Sequence, residues 1–255
     1  MTLDFADNWN ALAEIPPKAK IRVFDLETTG LNADDEVVEI GAVDLDVHTG
    51  EICEVTSQIV RPSKPIPPLA CAIHHITDDD VASAPSWPDV WPRVFNGDQN
   101  VIAFAAHYAS FDSGWISADL LEGKPLICTY KTALRIWPEA PGYSNQALRY
   151  WLNLPVERDR AVPTHRALPD AYVSAHLVRE LLKNASADDL VSWSNEPALL
   201  PKVTFGKHRG SKWTDVPDDY LDWIIFKSNF DDEDVMHTAR SIRANRLALT
   251  VPRVA

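Results

Sequence analysis

The stretch Ile21-Arg22-Val23-Phe24-Asp25-Leu26-Glu27-Thr28-Thr29-Gly30 decides the fold. Its apolar and β-branched residues predict a strand, and Thr-Thr-Gly predicts the turn that ends it. Asp25 and Glu27 are two residues apart, so on a strand both side chains leave the same face. Such a pair repels itself unless it is protonated or bridged by cations. Clustered carboxylates suit Mg²⁺ or Mn²⁺, so we expect a metal site at the end of this strand.

The elements predicted around this strand indicate an α/β fold. Further strands are predicted over residues 36–45, 51–61 and 101–105, and the last of these is wholly apolar, as in a strand covered on both faces. A strand meander followed by mixed strands and helices fits a mixed central sheet flanked by helices. Helices are predicted over residues 111–121, 129–136, 145–152 and 168–182.

The length of 255 residues allows one large domain and a small second unit. Residues 1–20 are interpreted as an extension, residues 21–185 as the main domain and residues 200–250 as a small, mostly helical C-terminal unit. Segments containing proline separate the three parts, because proline interrupts a helix.

Composition narrows the class of protein. No apolar run approaches the ~18 residues of a membrane span, and the acidic start of the chain predicts no signal peptide. Scattered Cys53, Cys71 and Cys128 favour reduced thiols in a cytoplasmic protein. The net charge of −13 argues against a broad basic surface that coats nucleic acid. This net charge is still compatible with an enzyme that binds only the end of one strand, because bound metal ions reverse the local sign of the charge.

Three further polar residues extend the candidate site. Asp112 follows the apolar strand at a predicted helix start, although the helix dipole alone also favours an Asp there. His165 and Asp170 lead into the helix predicted from residue 168, whose apolar face would hold Asp170 rigidly. Spacing alone decides little, because Asp-x-Glu recurs at residues 34–36 and 231–233 and His-x-x-x-x-Asp recurs three times elsewhere.

The ordered set resembles a known family. Phe24-Asp25-Leu26-Glu27-Thr28-Thr29-Gly30, His107-x-x-x-Phe111-Asp112 and His165-Arg166-Ala167-Leu168-x-Asp170-Ala171 are similar to the three motifs of the DEDDh exonuclease superfamily. The resemblance spans roughly residues 20–185 and implies a ribonuclease H-like fold with 3′→5′ exonuclease activity. The family's second motif usually reads His-Asn, whereas Tyr108 follows His107 here. The superfamily has a second subgroup, which carries tyrosine at the position of His165. The histidine here therefore resembles the histidine subgroup.

The same resemblance implies a mechanism with two Mg²⁺ or Mn²⁺ ions per site. Asp25, Glu27 and Asp170 would hold one ion, and Asp25 would bridge to a second that Asp112 holds through water. His165 would take the proton from the attacking water, since histidine titrates near neutral pH. Paired ions can activate water and stabilise the leaving oxygen of a phosphodiester, and the products would be nucleoside 5′-monophosphates.

Substrate contacts are also implied. In the family, the residues after the Asp-x-Glu pair meet the terminal nucleotide, so Thr28 would contact the 3′ end and Leu31 would wedge against the last base. Ordinary turn and core roles are equally open for both. His107 corresponds to a position near the active site, where a structural hydrogen-bonding role is as well supported.

The C-terminal unit resembles the small module of exodeoxyribonuclease X-like enzymes. Lys207, Arg209 and Lys212 concentrate positive charge beside an aromatic residue and could grip a nucleic-acid backbone. A solvated hairpin above a small helical core is the alternative.

The leading hypothesis is therefore an enzyme whose partner is nucleic acid with a free 3′ end, DNA rather than RNA, and no membrane. The same chemistry on RNA or short oligonucleotides stays open, because selectivity against the 2′-hydroxyl cannot be seen in the sequence. A non-catalytic nucleic-acid-binding module on the same fold also stays open. The intact set of acidic and histidine residues argues against that module. Oligomeric state is not predicted.

Overall fold

A computed structural model describes residue 5 and residues 15–250, except for the side chains of residues 249 and 250. The predicted N-terminal extension, residues 1–20, falls largely outside these residues. A five-stranded mixed sheet with the order β3-β2-β1-β4-β5 organises the fold. β2 runs antiparallel to β1 and β3, and β4 runs parallel to β1 and β5. The strands are β1 (Lys20–Thr28), β2 (Val37–Asp46), β3 (Ile52–Ile59), β4 (Val101–Ala106) and β5 (Leu126–Cys128).

Helices cover the sheet and form the C-terminal unit. Ser144 and Ser186 each start a helix with a side-chain oxygen that accepts a main-chain hydrogen bond. No helix in residues 15–250 combines the length and the apolar character needed to cross a membrane. The helices are α1 (Pro68–His74), α2 (Asp78–Val81), α3 (Trp87–Phe95), α4 (Ala109–Asp112), α5 (Thr129–Ile136), α6 (Asn145–Trp151), α7 (Ala167–Leu181), α8 (Ala187–Asn195), α9 (Asp218–Phe226) and α10 (Glu233–Thr250).

The alternation of side chains along β1 decides which face receives the carboxylates. Ile21 and Val23 pack with residues of α7 in one core, whereas Phe24 and Leu26 pack with residues of α3 in another. Since successive strand residues point to opposite faces, the odd-numbered Asp25 and Glu27 continue the face that α7 covers.

Gly41 allows α7 to lie directly on β2. A Cβ at this position would stand 2.1 Å from the main-chain nitrogen of Leu168. Beside it, the buried carboxylate of Glu39 accepts hydrogen bonds from Arg166 Nε at 2.9 Å and from Ala167 N at 2.9 Å. The first turn of α7, which contains Asp170, is therefore held against the centre of the sheet.

The sequence prediction was wrong for residues 111–121. The helix there, α4, begins at Ala109 and ends at Asp112, and turns follow it. The Ser113 hydroxyl donates to the main-chain carbonyl of Ala109 at 2.7 Å, a local bond of the kind that competes with helix continuation. β5 was not predicted, because a strand of three residues leaves little periodicity to detect.

The main core extends past the predicted domain end at residue 185. Ala187 and Leu190 of α8 belong to the same core as β1 and α7, and Ser194 Oγ accepts a hydrogen bond from Cys128 N at 2.8 Å. The C-terminal unit has its own core, formed by Val203, Trp213, Val216, Leu221, Ile224, Val235 and Ala239.

Replacing Gly41 by alanine should displace the start of α7, because the new Cβ meets main-chain atoms that cannot rotate away. We expect a loss of ~3 kcal/mol in the free energy of unfolding, the upper part of the range for overpacking, together with loss of activity. Denaturant unfolding measures the first quantity. Gly142→Ala is the control, because its Cβ would make an ordinary 3.4 Å contact with Ala147. Equal stability of both variants would contradict this account of α7 placement.

Candidate active site

Three carboxylates converge at the end of β1. Asp25 and Glu27 come from the strand and Asp170 comes from the first turn of α7. One oxygen from each lies within 4.8 Å of the others. Within the part of the chain that the structure describes, this is the one group of three or more His, Cys, Asp and Glu side chains that could hold a metal ion. The fold thus brings together residues that are 143 and 145 positions apart in sequence.

Asp112 adds a fourth carboxylate next to this group. It ends α4, shortly after β4, which runs parallel to β1. The carboxyl ends of parallel strands lie at one edge of the sheet, so the segments that leave β1 and β4 meet there. Asp112 is 2% exposed, and its charge contributes to raising the pKa of both Asp25 and Glu27.

Burial and mutual repulsion make the cluster resist ionisation. Burial, followed by the charges of Glu27 and Asp112, holds the pKa of Asp25 well above its ordinary value. Burial and then the charge of Asp170 raise the pKa of Glu27 to about 8, and burial raises the pKa of Asp112 to about 8. Groups of this kind become stable as anions when cations neutralise them. An all-oxygen set of carboxylates suits a hard divalent ion such as Mg²⁺, so the donor chemistry fits.

Hydrogen bonds orient the Asp170 carboxylate. Its Oδ2 accepts from the main-chain N–H of His165 at 2.8 Å, and its Oδ1 accepts from Gln146 Nε2 at 3.2 Å. Arg149 in turn donates to Gln146 Oε1 at 3.1 Å. Gln146 was not predicted, because it carries no motif signal in the opening turn of α6. Glu39 was not predicted either, although a charged residue inside the apolar run of β2 was a visible signal.

His165 stands at the edge of this cluster. Its side chain is exposed, and its backbone is left-handed with a φ of 57°. Arg166, the next residue, forms an ion pair with Glu39, and this pair holds the chain directly after the histidine. The structure thus places His165 beside Asp170, and its role as a general base stays a prediction.

The turn after β1 borders a cavity beside Glu27. Thr28 is buried, and its hydroxyl donates to the Gly30 carbonyl at 2.6 Å, so its side chain is already engaged within the turn. Leu31 is 83% exposed, as a residue that meets a ligand would be. The cavity measures about 440 Å³, and its lining includes Glu27, Thr28, Leu31, Leu69, Ile73, His74 and Phe111.

His107 is engaged inside the protein. Its ring nitrogens contact Thr129 Oγ1 at 2.8 Å and the Tyr143 carbonyl at 2.9 Å, and burial lowers its pKa to about 4. These contacts support the structural alternative, while a substrate contact of His107 stays a prediction. The next residue, Tyr108, has a φ of 64°, a conformation that costs most side chains ~1–2 kcal/mol and that Asn tolerates best. The Asn usual at this position therefore matches the backbone.

The predicted basic residues belong to the C-terminal unit. Lys207 and Arg209 are exposed, and Lys207 Nζ lies 5.0 Å from the centre of the Tyr220 ring. Lys212 pairs with Glu139 at 2.7 Å, so part of its charge is already matched. Lys212 and Glu139 line a separate cavity of about 420 Å³. The structure does not place these three residues in the lining of the cavity beside Glu27.

The fold and the carboxylate centre define a class of nuclease, and comparison with known proteins agrees. The family model described as "Exonuclease" matches residues 23–178, a span that contains the five predicted catalytic residues. The chain belongs to this exonuclease family, of the DEDDh type. The predictions of a 3′→5′ exonuclease enzyme and of a ribonuclease H-like mixed sheet are thereby confirmed at the level of family and fold.

Particular relatives are similar over much of the chain. Exodeoxyribonuclease 10 of Escherichia coli (strain K12) is 37% identical over 210 residues, which cover 80% of this chain and 90% of that protein. A DNA polymerase III subunit epsilon-like protein of Rhodobacter capsulatus is 33% identical over 202 residues, 76% of this chain and 28% of that protein. The solved structure of exonuclease X in complex with 5′ overhanging duplex DNA is 36% identical, with a TM-score of 0.59 over 69% of this chain and 99% of that one.

Without divalent ions, the carboxylate cluster should make the protein less stable as pH rises. A carboxyl whose pKa is raised by folding binds its proton more tightly in the folded state. Its contribution is complete below about pH 4, where unfolded carboxyls titrate, and is lost as pH rises through about 8. We therefore expect the melting temperature in EDTA to fall across this window, and Mg²⁺ to restore it at the alkaline end.

Asp112→Asn tests this expectation, because the amide resembles the protonated carboxyl. The variant should melt at a higher temperature than the wild type at pH 8 in EDTA and should show a shallower decline with pH. Exposed Asp119→Asn serves as the control and should keep the wild-type slope. A decline in Asp112→Asn as steep as that of the wild type would contradict the assigned cause.

Proposed function

We propose that this chain hydrolyses DNA from its 3′ end and releases nucleoside 5′-monophosphates, with two divalent ions and with His165 as general base. The observation that carries the proposal is the meeting of Asp25, Glu27 and Asp170 oxygens within 4.8 Å, with Asp112 beside them. Asp25, Glu27 and Asp170 would hold one ion, and Asp25 and Asp112 would hold the other. When bound, the ions supply an activated water and charge stabilisation for the leaving oxygen.

The protein residues perform the remaining work. Gln146 and the His165 main chain keep the Asp170 carboxylate in one orientation. The exposed imidazole of His165 is free to approach and accept a proton from the attacking water. Thr28 would meet the terminal nucleotide through its main chain, and exposed Leu31 would pack against the last base, because both line the cavity beside Glu27.

DNA is the proposed substrate class because of the relatives. The similar Escherichia coli protein is named an exodeoxyribonuclease, and the similar solved structure contains duplex DNA. RNA is the competing substrate, and a direct assay on both nucleic acids distinguishes the two.

Cys53, Cys71 and Cys128 are free thiols in the structure, which supports a reducing compartment such as the cytoplasm.

The direct test uses 5′-labelled and 3′-labelled single strands of DNA and RNA in Mg²⁺ or Mn²⁺. The wild type should shorten 5′-labelled DNA stepwise, and it should release labelled mononucleotide at once from 3′-labelled DNA. Asp25→Ala should reduce the rate about a thousandfold, equivalent to ~4 kcal/mol of lost transition-state stabilisation. Asp34→Ala is the matched control, because Asp34 is the exposed first residue of another Asp-x-Glu pair and contacts Lys64.

Three results would overturn parts of this proposal. Full activity of Asp25→Ala would remove the proposed metal centre. Release that starts from the 5′ end would reverse the direction. Faster hydrolysis of RNA than of DNA with the same sequence would reassign the substrate.

We also propose a division of labour within the chain. The exonuclease domain would run from about residue 20 to α8, and the unit built by α9 and α10 would bind nucleic acid through Lys207 and Arg209. Exposure of both residues supports this role. Lys212 would instead help to dock the unit, because its ammonium group already pairs with Glu139.

Removing two exposed positive charges should flatten the salt dependence of binding. For single-stranded DNA, the double variant Lys207→Ala/Arg209→Ala should reduce the slope of log K against log salt by ~1.4, or ~0.7 for each lost contact. Fluorescence anisotropy with a long oligonucleotide measures this slope, and turnover of a dinucleotide should stay unchanged. Lys183→Ala, an exposed lysine paired with Glu180, is the control. A slope equal to that of the wild type would show that Lys207 and Arg209 do not contact the nucleic acid.

A further inference from the structure

Tyr108 occupies a position where the backbone disfavours it. Its φ of 64° lies in the left-handed region, which suits glycine or asparagine far better than tyrosine. The residue is nevertheless 48% exposed, so full burial of the side chain does not compensate for the conformation. An exposed aromatic side chain on an unfavourable backbone is the kind of outlier that clusters at ligand sites.

The ring is held in place by a neighbour. The Tyr108 and Tyr130 rings are 4.0 Å apart between centroids and are inclined by 33°. Tyr130 lies in the first turn of α5 and also meets Tyr143 edge to face at 6.4 Å. Tyr108 therefore presents one face of a supported aromatic stack, with little side-chain freedom left to lose when a flat ligand packs on it.

This face continues the cleft of the carboxylate centre. Tyr108 lines a groove of about 460 Å³ together with Leu31, Ser110 and Phe111. Leu31 and Phe111 also line the cavity beside Glu27. A strand whose 3′ end reached the carboxylates would therefore pass from one space into the other over Leu31 and Phe111.

We infer that Tyr108 is a stacking platform for a nucleobase upstream of the terminal nucleotide, and that it helps to determine how this chain holds a single strand. The inference rests on the proposed nucleic-acid substrate. Stacking fits because every base offers a flat face, whatever its sequence. Leu31 would separate the terminal base from this upstream base, and Tyr108 would receive the latter.

The test measures binding apart from hydrolysis, in full-length protein that carries Asp25→Ala. Oligonucleotides contain 2-aminopurine at one upstream position at a time, and its fluorescence falls when the base stacks. We expect quenching at one position in protein with Tyr108 and its loss in Tyr108→Asn, with binding weakened about fivefold or more. Tyr108→Phe should retain both properties. Trp151→Asn is the matched control, because Trp151 is 42% exposed and lines neither space.

Each of three further outcomes overturns the inference. Quenching that persists in Tyr108→Asn would show that the base does not stack there. An equal loss in Trp151→Asn would show a general effect of removing a surface aromatic residue. In an otherwise wild-type background, Tyr108→Asn should raise KM for a single strand and leave kcat nearly unchanged, and a loss confined to kcat would mean that the residue acts through neighbouring Asp112. Failure of the wild type to hydrolyse any nucleic acid would contradict the proposed function without changing the fluorescence result.

Discussion

The contact between α7 and β2 at Gly41 is the constraint on which the carboxylate centre depends. The strand alone presents Asp25 and Glu27, but Asp170 reaches them only because α7 begins against main-chain atoms of the sheet. Glu39 then holds the start of the helix through Arg166 and Ala167. A larger residue at position 41 would lift the helix and separate the oxygens. The site is therefore a consequence of helix-on-sheet packing, and its geometry is as rigid as that packing.

That packing brings together charges that oppose it. Glu27 faces Glu39 directly across the antiparallel pair of β1 and β2, and the charge of Glu39 helps to raise the pKa of Glu27. Arg166 acts in the opposite direction, because its guanidinium lowers the pKa of Glu27 while it pairs with Glu39. One arginine thus relieves part of the repulsion at Glu27, whereas burial and the charges of Glu27 and Asp112 hold the pKa of Asp25 well above its ordinary value. A site that is incompletely neutralised by protein is suited to gain divalent ions.

The sequence predicted the parts of the fold whose pattern is local. The helix expected over residues 129–136 has those bounds in the structure, and β1 extends one residue beyond each end of the apolar strand expected over residues 21–27. The order of the motifs along the chain also identified the candidate residues, whereas no single spacing did. A second Asp-x-Glu pair begins at Asp34, which is exposed and contacts Lys64 and is not part of the carboxylate group of Asp25, Glu27 and Asp170. Contacts between side chains that depend on how two helices pack were not predictable from the sequence. Nothing in α6 indicated that Gln146 would contact Asp170, because that contact depends on how α6 and α7 cross.

His107 and Tyr108 are neighbours in one motif, but the first side chain is held inside the protein and the second is exposed. The buried imidazole of His107 bridges Thr129 and Tyr143, and so ties the end of β4 to α5 and to the loop before α6. With His107 held inward and α4 starting at Ala109, the chain must turn sharply at the residue between them, and its φ becomes positive. Asparagine adopts that backbone readily and tyrosine does not. Tyr130 offers the tyrosine ring a stacking partner that asparagine would not use. The buried His107 thus fixes the backbone at this point, and the exposed side chain of Tyr108 is available to contact a ligand in the cleft.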